Sequence, residues 1–230
     1  MTDLTFCNQI AYSVPTNPNV FNDTAALGRW YDNNASMAYS IFQKVLATQV
    51  PCNTTSSAQY SLARTCGDCQ NAYKAWLCAV MIPRCVDFNS TDPWLQRRAM
   101  IQNFPDGTSL DPETIAEANQ SLALSSSRNP LIDAFVIPGP YKELLPCEDL
   151  CYNLVQSCPA SMQFGCPQPG VIGFSESYGL KPQGEADENG RYTNITCNYP
   201  GLVSYFAAGS SIGPSTVLLL MSAMLVLMMS

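Results

Sequence analysis

The chain is predicted to fold as a mostly α-helical, disulfide-rich domain with an irregular C-terminal third and a terminal hydrophobic segment. Three observations carry that expectation. Apolar residues recur at helical spacing over long stretches, 11 cysteines accompany six Asn-x-Ser/Thr sequons, and glycine and proline crowd the region after Pro159. At 230 residues there is enough chain for one large domain or two small ones. With 47% hydrophobic and 13% charged residues the chain is neither disordered nor a coiled coil. A net charge of -7 argues against nucleic acid as a partner, because phosphate binding relies on clustered Lys and Arg. The absence of histidine removes the commonest general base and the commonest zinc ligand.

The elements follow in order. Leu27, Trp30, Tyr31, Ala38, Ile41, Val45 and Leu46 step by threes and fours and predict a helix over 24–49, ended by Pro51. A second helix is expected over about 57–78, stopped by Pro83. Asp92-Pro93 and Asp111-Pro112 each read as an N-cap followed by proline at the first helical position, opening helices over about 93–103 and 112–123. The 125–130 segment reads as a loop and 146–158 as the last strong helix. Beyond Pro159 an irregular region held by disulfides is expected.

Cys147, Cys151 and Cys158 fall at about 0°, 40° and 20° on a helical wheel, beside Leu150, Leu154 and Val155. Three thiols on one face of a lumenal chain predict a disulfide seam rather than a metal site. Cys66-Gly-Asp-Cys69 has the form of a redox pair, but its flanks are helical or polar and nine other cysteines surround it. Structural use of both sulfurs, each with a different partner, is the expectation. Tyr73 and Trp76 are read as core, and Glu185, Asp187 and Glu188 as a solvated loop without EF-hand spacing. No catalytic pair, phosphate loop, metal motif or cofactor motif emerges, so an enzyme is not expected.

The sequons at Asn22, Asn34, Asn53, Asn89, Asn119 and Asn194 mark candidate glycosylation sites and favour the secretory pathway. The segment at Met1 has neither a basic n-region nor an apolar h-region, which leads to the expectation that sequence is missing upstream. No charged residue follows Arg191, and 217–229 is almost wholly apolar. That stretch spans roughly 20 Å as a helix, short of the roughly 30 Å hydrocarbon core. Three readings stay open: a cleaved glycolipid-anchor signal with Gly209 and Ser210 as attachment candidates, a retained membrane helix, or a buried helix.

The runs Cys69…Trp76-Leu-Cys78…Pro83-Arg-Cys85 and Pro146-Cys147-Glu-Asp-Leu-Cys151…Cys158-Pro159 resemble the Frizzled-type cysteine-rich domain, as does Cys7…Tyr12…Pro18-Asn19. The same segments, with Ala11-Tyr-Ser-Val-Pro15, are more similar still to the fungal stretch-activated calcium-channel subunits of the mating-induced-death family. The likeness covers about 3–200. It implies a Frizzled-like domain over 1–200 with a long insertion at about 86–145, after which composition marks a small and polar linker over 201–216 and a membrane-anchor or lipid-signal tail over 217–230. It also implies an auxiliary subunit at the extracellular face of the plasma membrane, or in the endoplasmic reticulum membrane, that binds a pore-forming calcium-channel subunit and supports calcium influx. The animal sodium-leak channel has a similar auxiliary subunit, whose cysteine-rich domain docks on extracellular pore loops. The family carries a long extracellular region before this domain, whereas the present chain starts close to Cys7. The alternative is an anchored surface module that binds a hydrophobic ligand in a groove.

By the Frizzled likeness the bridges are Cys7–Cys78, Cys69–Cys158, Cys151–Cys166 and Cys147–Cys197, and the two extra positions, Cys52 and Cys66, pair with each other. That leaves Cys85, whose Frizzled counterpart bonds to a cysteine further upstream. A free buried thiol is the other reading of Cys85.

Overall fold

The computed structural model describes residues 1–49, 64–181 and 195–201. Expectations placed on Cys52, Asn53, Asn194, the 185–188 acids, Gly209, Ser210 and the 202–230 tail lie outside the described residues, as does 57–63 of the expected second helix, which among the described residues starts only at Cys66 and runs on to Met81.

Three helices form the frame. α1 spans Thr24–Gln49, and the Asp23 carboxylate accepts the N–H groups of Ala25 and Ala26 at its start. Leu27, Tyr31, Ala35, Phe42 and Leu46 make its buried stripe. Ile41 and Val45, expected on that stripe, are instead 59% and 45% exposed. Each stands one residue ahead of a buried neighbour, Phe42 and Leu46, and so about 100° round the helix from it.

α2 spans Cys66–Met81 and opens on a capping box. The Thr65 hydroxyl accepts the Asp68 N–H at 3.2 Å, and the Asp68 carboxylate accepts the Thr65 N–H at 2.7 Å. α6, Glu148–Ser157, has Cys147 and Cys158 as its caps and two acids in its first turn, where the helix dipole favours them.

Two features differ from the sequence reading between α2 and α6. The 93–103 segment is not a helix. A three-stranded antiparallel sheet forms there in the order β1-β3-β2, from Arg84–Val86, Leu95–Arg98 and Tyr141–Leu144. Asp92 does not cap a helix: its backbone carbonyl accepts the Leu95 N–H in a turn, and pairing with β3 takes the following residues. Second, 112–123 divides into α3, Pro112–Ala118, and α4, Leu122–Ser125; the expected loop is present at 126–129 and is followed by α5, Pro130–Phe135, which was not expected. Asp111 does cap α3, accepting the Thr114 N–H at 2.9 Å. After Pro159 come a 3-10 turn, Ala160–Met162, and the single-turn α7, Phe174–Ser177.

The N-terminal segment lies over α1 and contributes Leu4, Ile10 and Val14 to a core with Leu27, Tyr31, Ile82, Ile132 and Val136. Buried Asp32 fastens it, accepting the N–H groups of Phe6 and Cys7 at 2.8 Å each. A second core joins α1, α2 and α6 through Phe42, Leu46, Cys69, Leu154 and Cys158. Phe42 and Tyr73 stack there with ring centroids 3.7 Å apart.

The two-residue approach of the C-terminal segment to α6 needs a glycine. Gly179 N–H donates to Pro146 O at 2.9 Å, and Gly179 O accepts the Glu148 N–H at 3.1 Å. A Cβ on Gly179 would stand 2.8 Å from the Cys197 Cβ and 2.9 Å from Thr196 O. Gly179→Ala is expected to lower the unfolding free energy by about 1–3 kcal/mol, read by urea titration, because backbone must shift to admit the methyl.

Candidate functional site

β2 and β3 set Gln96 opposite Glu143 and Arg98 opposite Tyr141. The Glu143 side chain is 0% exposed and accepts from two guanidinium groups, Arg98 Nε on Oε2 and Arg128 Nε on Oε1, each at 2.7 Å. Burying a carboxylate costs several kcal/mol unless it is paired and hydrogen-bonded. The further N–H groups of the arginines go to backbone carbonyls. Arg98 donates to Ala123 O at 3.1 Å and Glu176 O at 2.6 Å, and Arg128 to Ser177 O at 2.8 Å. One carboxylate thus joins β2, β3, α4, the 126–129 segment and α7.

This clamp builds one wall of a groove. A cavity of about 800 Å³ opens between β2 and α7, lined among others by Trp94, Leu95, Leu124, Phe174, Tyr178 and Leu180. Trp76 Nε1 donates to Tyr178 Oη at 2.9 Å and ties the wall to α2. Lys181 pairs with Asp149 at the rim and stands over the Tyr199 ring, 5.7 Å from its centroid. Such a surface can receive apolar side chains or an apolar ligand, with backbone groups and the rim ion pair to orient it. Among the described residues no three His, Cys, Asp or Glu side chains come together as a metal cage.

Of the predicted site residues, the structure joins Cys7 to Cys78, Cys69 to Cys158, Cys147 to Cys197 and Cys151 to Cys166. Cys66 is disulfide-bonded, and Cys69 bonds to Cys158, so the C-x-x-C sulfurs do not bond to each other. Cys85, on β1, is a free thiol. Tyr73 and Trp76 are half-buried around the second core. Asn22, Asn89 and Asn119 are exposed, whereas Asn34 is half-buried within α1 and its Nδ2 donates to Trp30 O at 2.7 Å. The sequence reading missed Arg98, Arg128 and Glu143, together with the groove residues. No local signal marks the clamp: Arg98 follows Arg97 and Glu143 follows Lys142, as in an ordinary solvated charged pair.

The fold defines a class: a mostly helical domain braced by disulfides, with an apolar groove beside α7. The chain belongs to the family described as stretch-activated Ca2+-permeable channel component, whose model matches residues 1–203. That is a family of channel components and not of enzymes. The chain is 41% identical to the stretch-activated cation channel yam8 of Schizosaccharomyces pombe over 211 residues, covering 91% of this chain and 36% of that protein. It is 34% identical to the stretch-activated cation channel MID1 of Saccharomyces cerevisiae, over 71% of this chain and 25% of that protein. The protein of that name from Cryptococcus neoformans is 34% identical over 60% of this chain and 23% of its own length. The chain therefore spans a quarter to about a third of the length of these relatives. No solved structure matches it.

Two outcomes are expected. Glu143→Ala strands two buried guanidinium groups and should cost about 3–5 kcal/mol, seen as a lower urea midpoint. Burial pushes the Cys85 thiol from 9.0 up to about 11. Its alkylation by iodoacetamide near pH 8 should run at least tenfold slower than that of an exposed cysteine and rise about tenfold per pH unit. The unfolded chain ionises first, so the stability contributed by the neutral thiol is intact below 9.0 and is lost between there and about 11.

Proposed function

We propose that this chain is an extracellular auxiliary part of a stretch-activated, calcium-permeable channel, which binds the pore-forming subunit and supports calcium influx. The match of the channel-component family over residues 1–203 carries this reading. Four disulfides among the described residues and six sequons support a lumenal or extracellular setting at the plasma membrane. Among the described residues no helix is long and apolar enough to cross a membrane. Attachment is assigned to the 217–230 tail, with Gly209 and Ser210 as lipid-anchor positions. The four bridges and the α1–α2–α6 frame also support a Frizzled-like relation for 1–200, with 86–145 as its insertion.

The groove beside α7 favours a second reading, a surface module for an apolar ligand, because about 800 Å³ is the size of small-molecule sites. One experiment separates the two. Membranes expressing the full-length protein are solubilised, and the captured material is analysed for both proteins and lipids. The channel reading expects a many-spanning channel subunit and a loss of calcium influx on deletion of the gene. The ligand reading expects extractable lipid that Leu180→Lys abolishes while channel capture persists. Unchanged calcium influx in cells without the full-length protein overturns the channel reading.

A further inference from the structure

An apolar patch lies on the face opposite in kind to the groove. Val20, Ile137 and Phe135 are exposed large side chains, Phe135 at 56%. Phe135 stands 6.4 Å from Trp30 between ring centroids, and Trp30 stands 6.2 Å from Phe21. Asn17 knits the edge, donating from Nδ2 to Ile137 O at 2.7 Å while its backbone carbonyl accepts the N–H groups of Val20 and Phe21. Phe21 and Trp30 are half-buried against the core while Phe135 stands exposed beside them, so the aromatic cluster has a fixed base and a side open to solvent.

The next residue after Phe21 is Asn22, the acceptor of the Asn22-Asp-Thr24 sequon. It is exposed, and it stands in the turn one residue ahead of Asp23, which caps α1. We propose that Asn22 carries an N-glycan whose first N-acetylglucosamine residues lie back on Phe21, Trp30 and Phe135 and cover this patch. The negative face of an aromatic ring attracts the polarised C–H groups on the apolar face of a sugar. The sequence places the sugar where the rings are, so no diffusing partner is needed. Two other described sequons, at Asn34 and Asn89, lack this arrangement. Asn34 is half-buried within a helix with its amide turned back on Trp30 O. Asn89 follows Phe88, but that ring already meets the edge of Phe104 at 5.4 Å and Lys142 at 5.3 Å.

The test uses the whole chain, produced behind a secretion leader in a yeast host, and needs no channel. Its failure is therefore separate from failure of the channel reading. Intact-glycopeptide mass spectrometry should find Asn22 occupied. Thr24→Ala removes the sequon and should lower the melting temperature by roughly 2–4 °C. Enzymatic removal of glycans after folding should abolish the difference between parent and variant. In a Phe135→Ser background, Thr24→Ala should no longer change the melting temperature. An empty Asn22 overturns the proposal. So does a Thr24→Ala effect that survives deglycosylation, or one that is undiminished beside Phe135→Ser.

Discussion

Glu143 has no exposed surface, and its two oxygens hold together segments that are far apart in the chain. A lone buried carboxylate would take up a proton or expel itself to water. Two arginines meet Glu143, and they bring one more positive charge than the carboxylate cancels. The excess is spread over the carbonyls of Ala123, Glu176 and Ser177, which are strongly polar and cannot ionise. The clamp therefore stands only when β2, α4, the 126–129 segment and α7 are all in place. That is a demand for specificity more than a source of net stability, since a buried ion pair roughly breaks even against well-packed apolar groups. The groove inherits its shape from this demand, because Phe174 and Tyr178 sit on the segment that the arginines hold.

The excursion that carries the clamp leaves and returns at one place. Val86 on β1 stands opposite Lys142 on β3, so more than fifty residues are closed off by one strand pair. Helices α1, α2 and α6 meet independently of it, through the Phe42–Tyr73 stack and the Cys69–Cys158 bridge. The framework and the groove are thus built by different forces. Packing and sulfur hold the first, and charge organises the second.

What could be read in the amino-acid sequence follows the same division. The 26-residue α1 and the α6 segment were legible because their apolar repeats are long enough to average out single residues. The inner face of α1 was less so: Ile41 and Val45 keep the helical spacing yet face outward, since the neighbours decide which side is buried. The strands are three or four residues long, and Leu95-Gln-Arg-Arg98 has no alternation that could separate strand from helix. Asp92-Pro93 offered a local helix start, and pairing with Tyr141–Leu144 overrode it. The clamp was not legible at all, because Arg98, Arg128 and Glu143 lie 15 to 45 residues apart and only the fold brings them together. The sulfur pairs were reachable through a family likeness but not from spacing alone.

The bridges overlap along the chain. Cys7 to Cys78, Cys69 to Cys158 and Cys147 to Cys197 each begin before the previous one has closed. Every peptide bond from Cys7 to Cys197 therefore lies inside at least one covalent loop. A protease that cuts once anywhere in that interval, including the exposed turn at Gly107, leaves two fragments that still travel as one molecule under oxidising conditions. In a setting rich in secreted proteases, a nick and a loss are separate events for this protein, and only a reductant turns the first into the second.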